Sequence, residues 1–461
     1  MARDLFGSGS RLSAWLNSAW PSRFWLAFPV ICLILFSRSP GMLIEPQLWA
    51  EDGRVFLAQA LQEPGWANLV KPHAGYLQLL PRLVASFFSI YTLLNAPLFF
   101  NSVALAAAAF SVWLLLSDIS GELLPRPWRL LAAAAICLMP WWTETLGNLT
   151  NAHWYLFFAA ALITLADLDH LNRLARIALP LFMALAAFSA PTTVLLVPVL
   201  IVNLIRNRRT RGYGFYLQAW TLGLVAVNVG LALALARETA GPELIWPGAG
   251  FLLTFLAKAV GFKVIALTLF GQDFAARHLA SRGAYLGLSG FFLALVLVQI
   301  WVLVRRPEAG RIGLILIYYI LSPLAFYALI RPLALAHFVG RDAYLGGDRY
   351  FVVPCFFFIL FIFHLARLGR PGPKPRALAA ALCLLGLIFA QAVWQNYHYP
   401  ERRDFRWRAN VKLYYQKLLA PKRGPERQYV IKIPPGGQAW FAPLPLFQPG
   451  PRQRARLEKL L

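Results

Sequence analysis

Residues 24–53 read FWLAFPVICLILFSRSPGMLIEPQLWAEDG. The first part, 24–43, is apolar enough to cross a bilayer, whose core takes about 20 residues of helix. Just beyond it, in Trp49-Ala50-Glu51-Asp52-Gly53, two carboxylates stand side by side. Carboxylates are costly near hydrocarbon, so a pair held at the membrane face marks a candidate site. The stretch sets both the class, a helical membrane protein, and the place to look for chemistry.

The rest of the chain agrees with that class. Of 461 residues, 59% are hydrophobic and only 14% are charged, with a mean hydropathy of +0.57. A soluble domain carries about 25% charged residues. The formal net charge is +24, from 44 Lys and Arg against 20 Asp and Glu. Much of that excess lies in short loops, where positive charge sets membrane topology. It therefore points to topology and anionic headgroups, not to nucleic acid. Cys32, Cys137, Cys355 and Cys383 lie in apolar runs without metal-ligand spacing, so neither a disulfide framework nor a zinc site is expected.

Apolar runs predict an all-α polytopic protein of about eleven spans, near 24–43, 97–117, 130–143, 154–168, 177–189, 192–205, 215–236, 285–304, 312–330, 350–366 and 377–394. Two further stretches, 77–94 with Pro81 and Arg82, and 250–271 with Lys258 and Lys263, read as helices lying at the interface. With the N-terminus in the cytoplasm, every short basic loop falls inside, among them Arg206 to Arg211 and Arg305 to Arg311. Segments 44–96, 144–153, 237–284 and 331–349 then face outward. So does a tail, 395–461, set off from the membrane domain 1–394. The tail holds 14 basic and 4 acidic residues. Val430-Ile431-Lys432-Ile433 alternates like a strand, and Pro434-Pro435-Gly436-Gly437 reads as a turn. A small external cap on the membrane domain is expected.

Four outward clusters carry residues suited to chemistry. A carboxylate of the Glu51-Asp52 pair can take the proton of an attacking hydroxyl, or the pair can hold a divalent cation. Asp52 also suits the start of a helix. Lys71, His73, Tyr76 and Arg82 place two cations, an imidazole and a phenol within twelve residues. Basic groups neutralise phosphate, whereas Tyr76 also suits an interface belt and Arg82 a snorkelling side chain. Arg341 precedes Gly346-Gly347-Asp348-Arg349-Tyr350, where Arg349 opens a span. A guanidinium there can grip phosphate bidentately, or pair with Asp348 while Tyr350 joins the interface belt. Glu144, Asn148, Asn151 and His153 suit sugar contacts and helix caps alike. No nucleotide-binding glycine loop, metal pattern or serine-nucleophile elbow appears.

An acidic motif in the first external loop, a basic segment at Lys71–Arg82, and Asp348-Arg349-Tyr350 opening a late span together resemble the GT-C superfamily of integral-membrane glycosyltransferases. The resemblance implies sugar transfer from a polyprenyl-phosphate donor to an external glycan or glycolipid acceptor; the compact loops, without large appended domains, point to a bacterial inner membrane. It implies a carboxylate base, Asp52 with Glu51 orienting it or exchanging roles, and a donor phosphate near Arg349 with Lys71, Arg82 or Arg341 assisting. His73, Tyr76, Glu144, Asn148, Asn151, His153, Asp348 and Tyr350 are the expected substrate contacts. The other readings are a transporter or flippase, and a polymerase or ligase of polyprenyl-linked polysaccharide. Nearly charge-free spans weigh against transport, because transported charge needs partners within the membrane.

Overall fold

The computed structural model describes residues 26–63, 65–140, 144–168, 171–236, 248–279, 281–330, 347–368, 375–399, 403–420, 428–435 and 440–461. Among these residues the chain is predominantly helical, with a single two-stranded sheet. Five helices among the described residues are long and apolar enough to cross a membrane: Leu93–Leu116, Tyr213–Ala234, Ala249–Phe270, Arg282–Arg305 and Pro307–Ile330. A sixth arises if Arg173–Ser189 and Pro191–Asn207, bent by 116°, count as one broken span.

The expected eleven spans are therefore corrected. Several of the predicted segments fold as shorter helices: Arg126–Cys137 has 12 residues, Ala152–Thr164 has 13 and Val352–Leu368 has 17. At about 1.5 Å per residue, the first two fall well short of a bilayer core of about 30 Å. Apolar character along such segments reflects burial in the protein: every residue of Ala152–Thr164 is buried. Pro191 explains the break in the bent pair, since proline cannot continue the donor ladder of the preceding helix.

The stretch 250–271, expected to lie at the interface, forms the helix Ala249–Phe270, which is long and apolar enough by length and composition to cross a membrane. It packs against Arg282–Arg305, where Ser289 Oγ donates to the Ala257 carbonyl at 2.6 Å. Gly261 permits the contact: a Cβ there would lie 2.2 Å from the Tyr285 carbonyl oxygen. Its two lysines have aromatic company, Lys258 over Tyr285 at 5.8 Å and Lys263 over Phe351 at 5.4 Å. Such contacts lower the cost of a cation in an apolar helix. Of the other predicted interfacial stretch, only Leu79–Ser86 is α-helical, eight residues.

A second core lies above the bundle. The C-terminal segment forms a helix, Trp407–Leu419, an antiparallel pair, Gln428–Lys432 with Phe441–Pro445, and a last helix, Pro451–Glu458. Trp407 donates its indole N–H to the Leu93 carbonyl at 2.8 Å, and Tyr414 its hydroxyl to Pro445 at 2.7 Å. Ile431, Ile433, Ala442 and Leu444 pack with Leu48, Phe56 and Leu57. Gly53 makes room for them: a Cβ there would meet Ile433 Cδ1 at 2.8 Å. The tail thus backs the loop that carries the acidic pair.

Candidate functional site

The turn into the acidic pair is built by two parts of the chain. Ala50 lies in the left-handed region with φ of 42°, where a side chain costs roughly 1–2 kcal/mol. The tail holds it there, because the Pro434 carbonyl accepts the Ala50 N–H at 2.7 Å. The helix Asp52–Leu57 follows at once. Consecutive residues on it meet different surroundings, and Glu51 and Asp52 part company.

Asp52 is fully buried. Its Oδ2 accepts from the Leu149 N–H at 2.9 Å, and its Oδ1 from both the N–H and the hydroxyl of Thr150 at 2.7 Å. Burial pushes its carboxyl up to about 7, against the pull of the Thr150 and Leu149 donors and helped by neighbouring Glu51. Its hydrogen bonds tie helix Asp52–Leu57 to loop 144–151, and it lies outside the cavity lining. Both lone pairs of Oδ1 are occupied, so the expected cation shared by Glu51 and Asp52 has a poor ligand there. Among the described residues no group of three or more His, Cys, Asp or Glu is placed to hold a metal ion.

Glu51 faces a cavity of about 170 Å³ shared with His73, Tyr76, Asn151, His153, Arg349 and Tyr350. Its Oε2 is buried and has no hydrogen-bond partner among the described residues. Residues from the first loop, from loop 144–153 and from the start of Val352–Leu368 thus meet in one place. Arg349 donates through Nη1 to Glu144 Oε1 at 2.9 Å, with side chains 30% and 19% exposed. Burial alone would lower the Arg349 pKa, but the Glu144 carboxylate outweighs it and the guanidinium stays firmly charged. The second oxygen of Glu144 has no partner among the described residues.

Loop 144–153 is stiffened by its asparagines. Asn148 and Asn151 both donate to the Glu144 carbonyl, at 2.6 and 3.1 Å, and Asn148 Oδ1 accepts the Asn151 N–H at 3.1 Å. Asn148 therefore shapes the loop behind the cavity, whereas Asn151 lines it with an unpartnered Oδ1. His153 Nδ1 lies 2.8 Å from the Thr150 carbonyl. A carbonyl only accepts, so Nδ1 carries the proton in this arrangement and Nε2 is left as an acceptor. His73 and Tyr76 are joined by a backbone bridge, and Gln78 donates to the Tyr76 hydroxyl at 3.0 Å.

Two expected phosphate ligands stand apart. Lys71 pairs with Glu63 at 2.9 Å on the surface and does not line the cavity. Arg82 is fully buried, donating to Gln59 at 3.0 Å and Asn68 at 2.8 Å, with its guanidinium over Phe56. Burial pushes its pKa down to about 10, against the pull of Glu63. Asp348 opens the turn Asp348–Tyr350, and Arg341 lies outside the described residues.

The sequence reading missed one member of an aromatic wall, Tyr327. Trp154, Tyr327 and Tyr350 line the cavity in mutual ring contact, with Tyr327 and Tyr350 centroids 4.9 Å apart and Trp154 5.3 Å from Tyr327. Tyr327 sits late in Pro307–Ile330, where an apolar run hides a phenol. No known protein-family model matches the chain, and no curated protein matches it either.

Proposed function

We propose that this chain is an integral-membrane glycosyltransferase of the GT-C type, moving a sugar from a polyprenyl-phosphate donor to a hydroxyl acceptor with inversion. The observation that carries the reading is the meeting of a carboxylate with one oxygen unpartnered among the described residues, a charged guanidinium and an aromatic wall in one cavity, at Glu51, Arg349 and Trp154–Tyr327–Tyr350. The acceptor oxygen attacks the anomeric carbon as the bond from that carbon to the phosphate oxygen breaks. Glu51 takes the acceptor proton, and the electron pair leaves with the polyprenyl phosphate, whose charge Arg349 stabilises. The base role thus falls to Glu51. Asp52 is a positioning residue, because its oxygens are spent on Leu149 and Thr150.

Aromatic faces and unpartnered acceptors suit a sugar, which offers C–H faces and hydroxyl donors together. His153 Nε2 and Asn151 Oδ1 serve its hydroxyls. Arg349, already held by the Glu144 carboxylate, binds the phosphate through charge-assisted hydrogen bonds from its remaining donors. The cavity faces the side opposite the basic loops, the exterior of a bacterial inner membrane, with the N-terminus in the cytoplasm and the C-terminal cap outside. The test is transfer by purified protein supplied with polyprenyl-phosphate sugars and a lipid-linked glycan acceptor. Release of polyprenyl phosphate, lost in Glu51→Gln, supports the reading; lipid movement across vesicles without any bond change would replace it with transport.

A further inference from the structure

The last helix, Pro451–Glu458, buries only Leu457. Arg452, Arg456 and the following Lys459 are all exposed. Spaced i, i+4 and i+7, they lie on one face of the helix. The other charges of the helix pair off. Arg454 meets Glu458 at 3.4 Å and donates to the Leu419 carbonyl at 2.8 Å. The face of Arg452, Arg456 and Lys459 thus carries three cations and no carboxylate of the helix. Its place is set by contacts with the membrane domain. The Arg456 guanidinium lies over the Tyr91 ring, 4.1 Å from its centroid. Tyr415 donates its hydroxyl to the Ile90 carbonyl at 2.5 Å, and Trp407 its indole N–H to Leu93 at 2.8 Å. The cap is therefore fastened to residues 90–93, where the apolar helix Leu93–Leu116 begins.

Around that start the surface is apolar. Phe87 is 75% exposed and Phe99 45%, and the Phe88 ring meets that of Phe99 at 5.6 Å. A bilayer that takes up Leu93–Leu116 covers these rings and brings its headgroups to the level of Tyr91. We propose that the Arg452–Arg456–Lys459 face docks on anionic phospholipid headgroups where Leu93–Leu116 begins, so that the bilayer surface holds the C-terminal cap. Charge complementarity selects this partner. Headgroup phosphates take charge-assisted hydrogen bonds from Arg and Lys, while apolar rings enter the acyl boundary below. Neutral lipid offers the same apolar cover without the net negative charge that attracts a basic face. The proposal does not depend on the glycosyltransferase reading.

The test is hydrogen exchange of residues 451–461 in the full-length protein held in lipid nanodiscs. Discs of phosphatidylcholine alone are compared with discs that also contain phosphatidylglycerol. Each cation near an anionic surface strengthens docking about fivefold. Phosphatidylglycerol should therefore slow exchange by about tenfold or more. Salt at about 1 M should remove the difference, because the screening length falls to about 3 Å. Arg452→Gln combined with Lys459→Gln keeps the Arg456–Tyr91 contact and changes only exposed side chains. This variant should exchange like wild type in phosphatidylcholine and keep less than about a threefold effect of phosphatidylglycerol. Equal exchange of wild type in the two kinds of disc overturns the proposal. So does an undiminished effect in the variant, which would put the headgroup contact elsewhere. Equal slowing by a soluble acidic polysaccharide, added to phosphatidylcholine discs, would assign the face to a glycan and overturn it too.

Discussion

The two ends of helix Ala152–Thr164 carry the same ingredients in different settings. At one end His153 shares a cavity with Glu51 and Arg349, and Glu144 pairs with that arginine. At the other, Thr164 lines a larger polar hollow of about 220 Å³ with Arg206 and Arg311, both paired to Glu308 at 2.8 and 3.5 Å. Thirteen residues of helix, about 20 Å, separate them. Glu308 is 70% exposed and Arg206 43%, so water screens that pair. Glu51 and Glu144 instead each keep a buried oxygen that no described residue meets. Identical charges become a surface network in one place and a buried, partly unmatched cluster in the other, and burial is what separates them.

The largest expected effect breaks the comparison at Glu51. Glu51→Gln keeps the shape but removes the proposed base, and should cut transfer by about 10²–10⁴-fold without lowering the melting temperature. Single-turnover transfer with purified protein reads this; a variant with near-normal turnover would take the base role away from Glu51.

Arg349 comes next. A charge-assisted hydrogen bond contributes about 1.5–3 kcal/mol, so Arg349→Ala should weaken donor binding by about ten- to hundredfold, at about 1.4 kcal/mol per tenfold. Arg349→Lys should recover part of it, lacking the planar fork. Direct donor titration decides the matter. Normal donor affinity with earlier melting would leave Glu144–Arg349 as a purely structural pair.

Asp52 sharpens the contrast through pH. Its folded-state pKa, about 7 because of burial, lies above the unfolded value of about 3.9. The folded state therefore holds a proton that the unfolded chain has lost. The stability this proton brings is complete below about pH 3.9 and is lost as pH rises through about 7. Melting temperature across pH 4–8 should fall in wild type and fall less in Asp52→Asn, which has no charge to bury. Parallel curves for the two proteins would assign the slope to other groups.

The smallest effect is expected at the far end. Glu308→Gln removes an exposed partner of Arg206 and should change stability by less than about 1 kcal/mol, with transfer unaltered. A large loss of transfer would show that the far hollow takes part in the reaction.

The pattern of these residues was only partly legible in the chain. Glu51-Asp52 and Asp348-Arg349-Tyr350 stand out because charge is rare beside apolar runs. Their separation by nearly 300 residues gives no hint that Glu51 and Arg349 share a cavity. Lys71 and Arg82 look alike as phosphate ligands in sequence, yet one ends on Glu63 and the other under Phe56, because local partners took them first. Tyr327 was hidden since a phenol in an apolar helix reads as core. The span count failed for a related reason: a helix buried in protein and a helix facing lipid are equally apolar, as Ala152–Thr164 and Arg282–Arg305 show.

By itself the sequence determined a helical chain built from long apolar segments of the kind that sit in a membrane, because hydrophobic length is a local property. It also determined the candidate carboxylates and arginines. Only the tertiary structure decided which of two adjacent carboxylates is tied down. The tail's Pro434 holds Ala50 in its left-handed turn, loop 149–150 claims the oxygens of Asp52, and Glu51 is left facing Arg349 across the cavity. Burial and hydrogen-bond partners come from distant segments, and no local pattern records them.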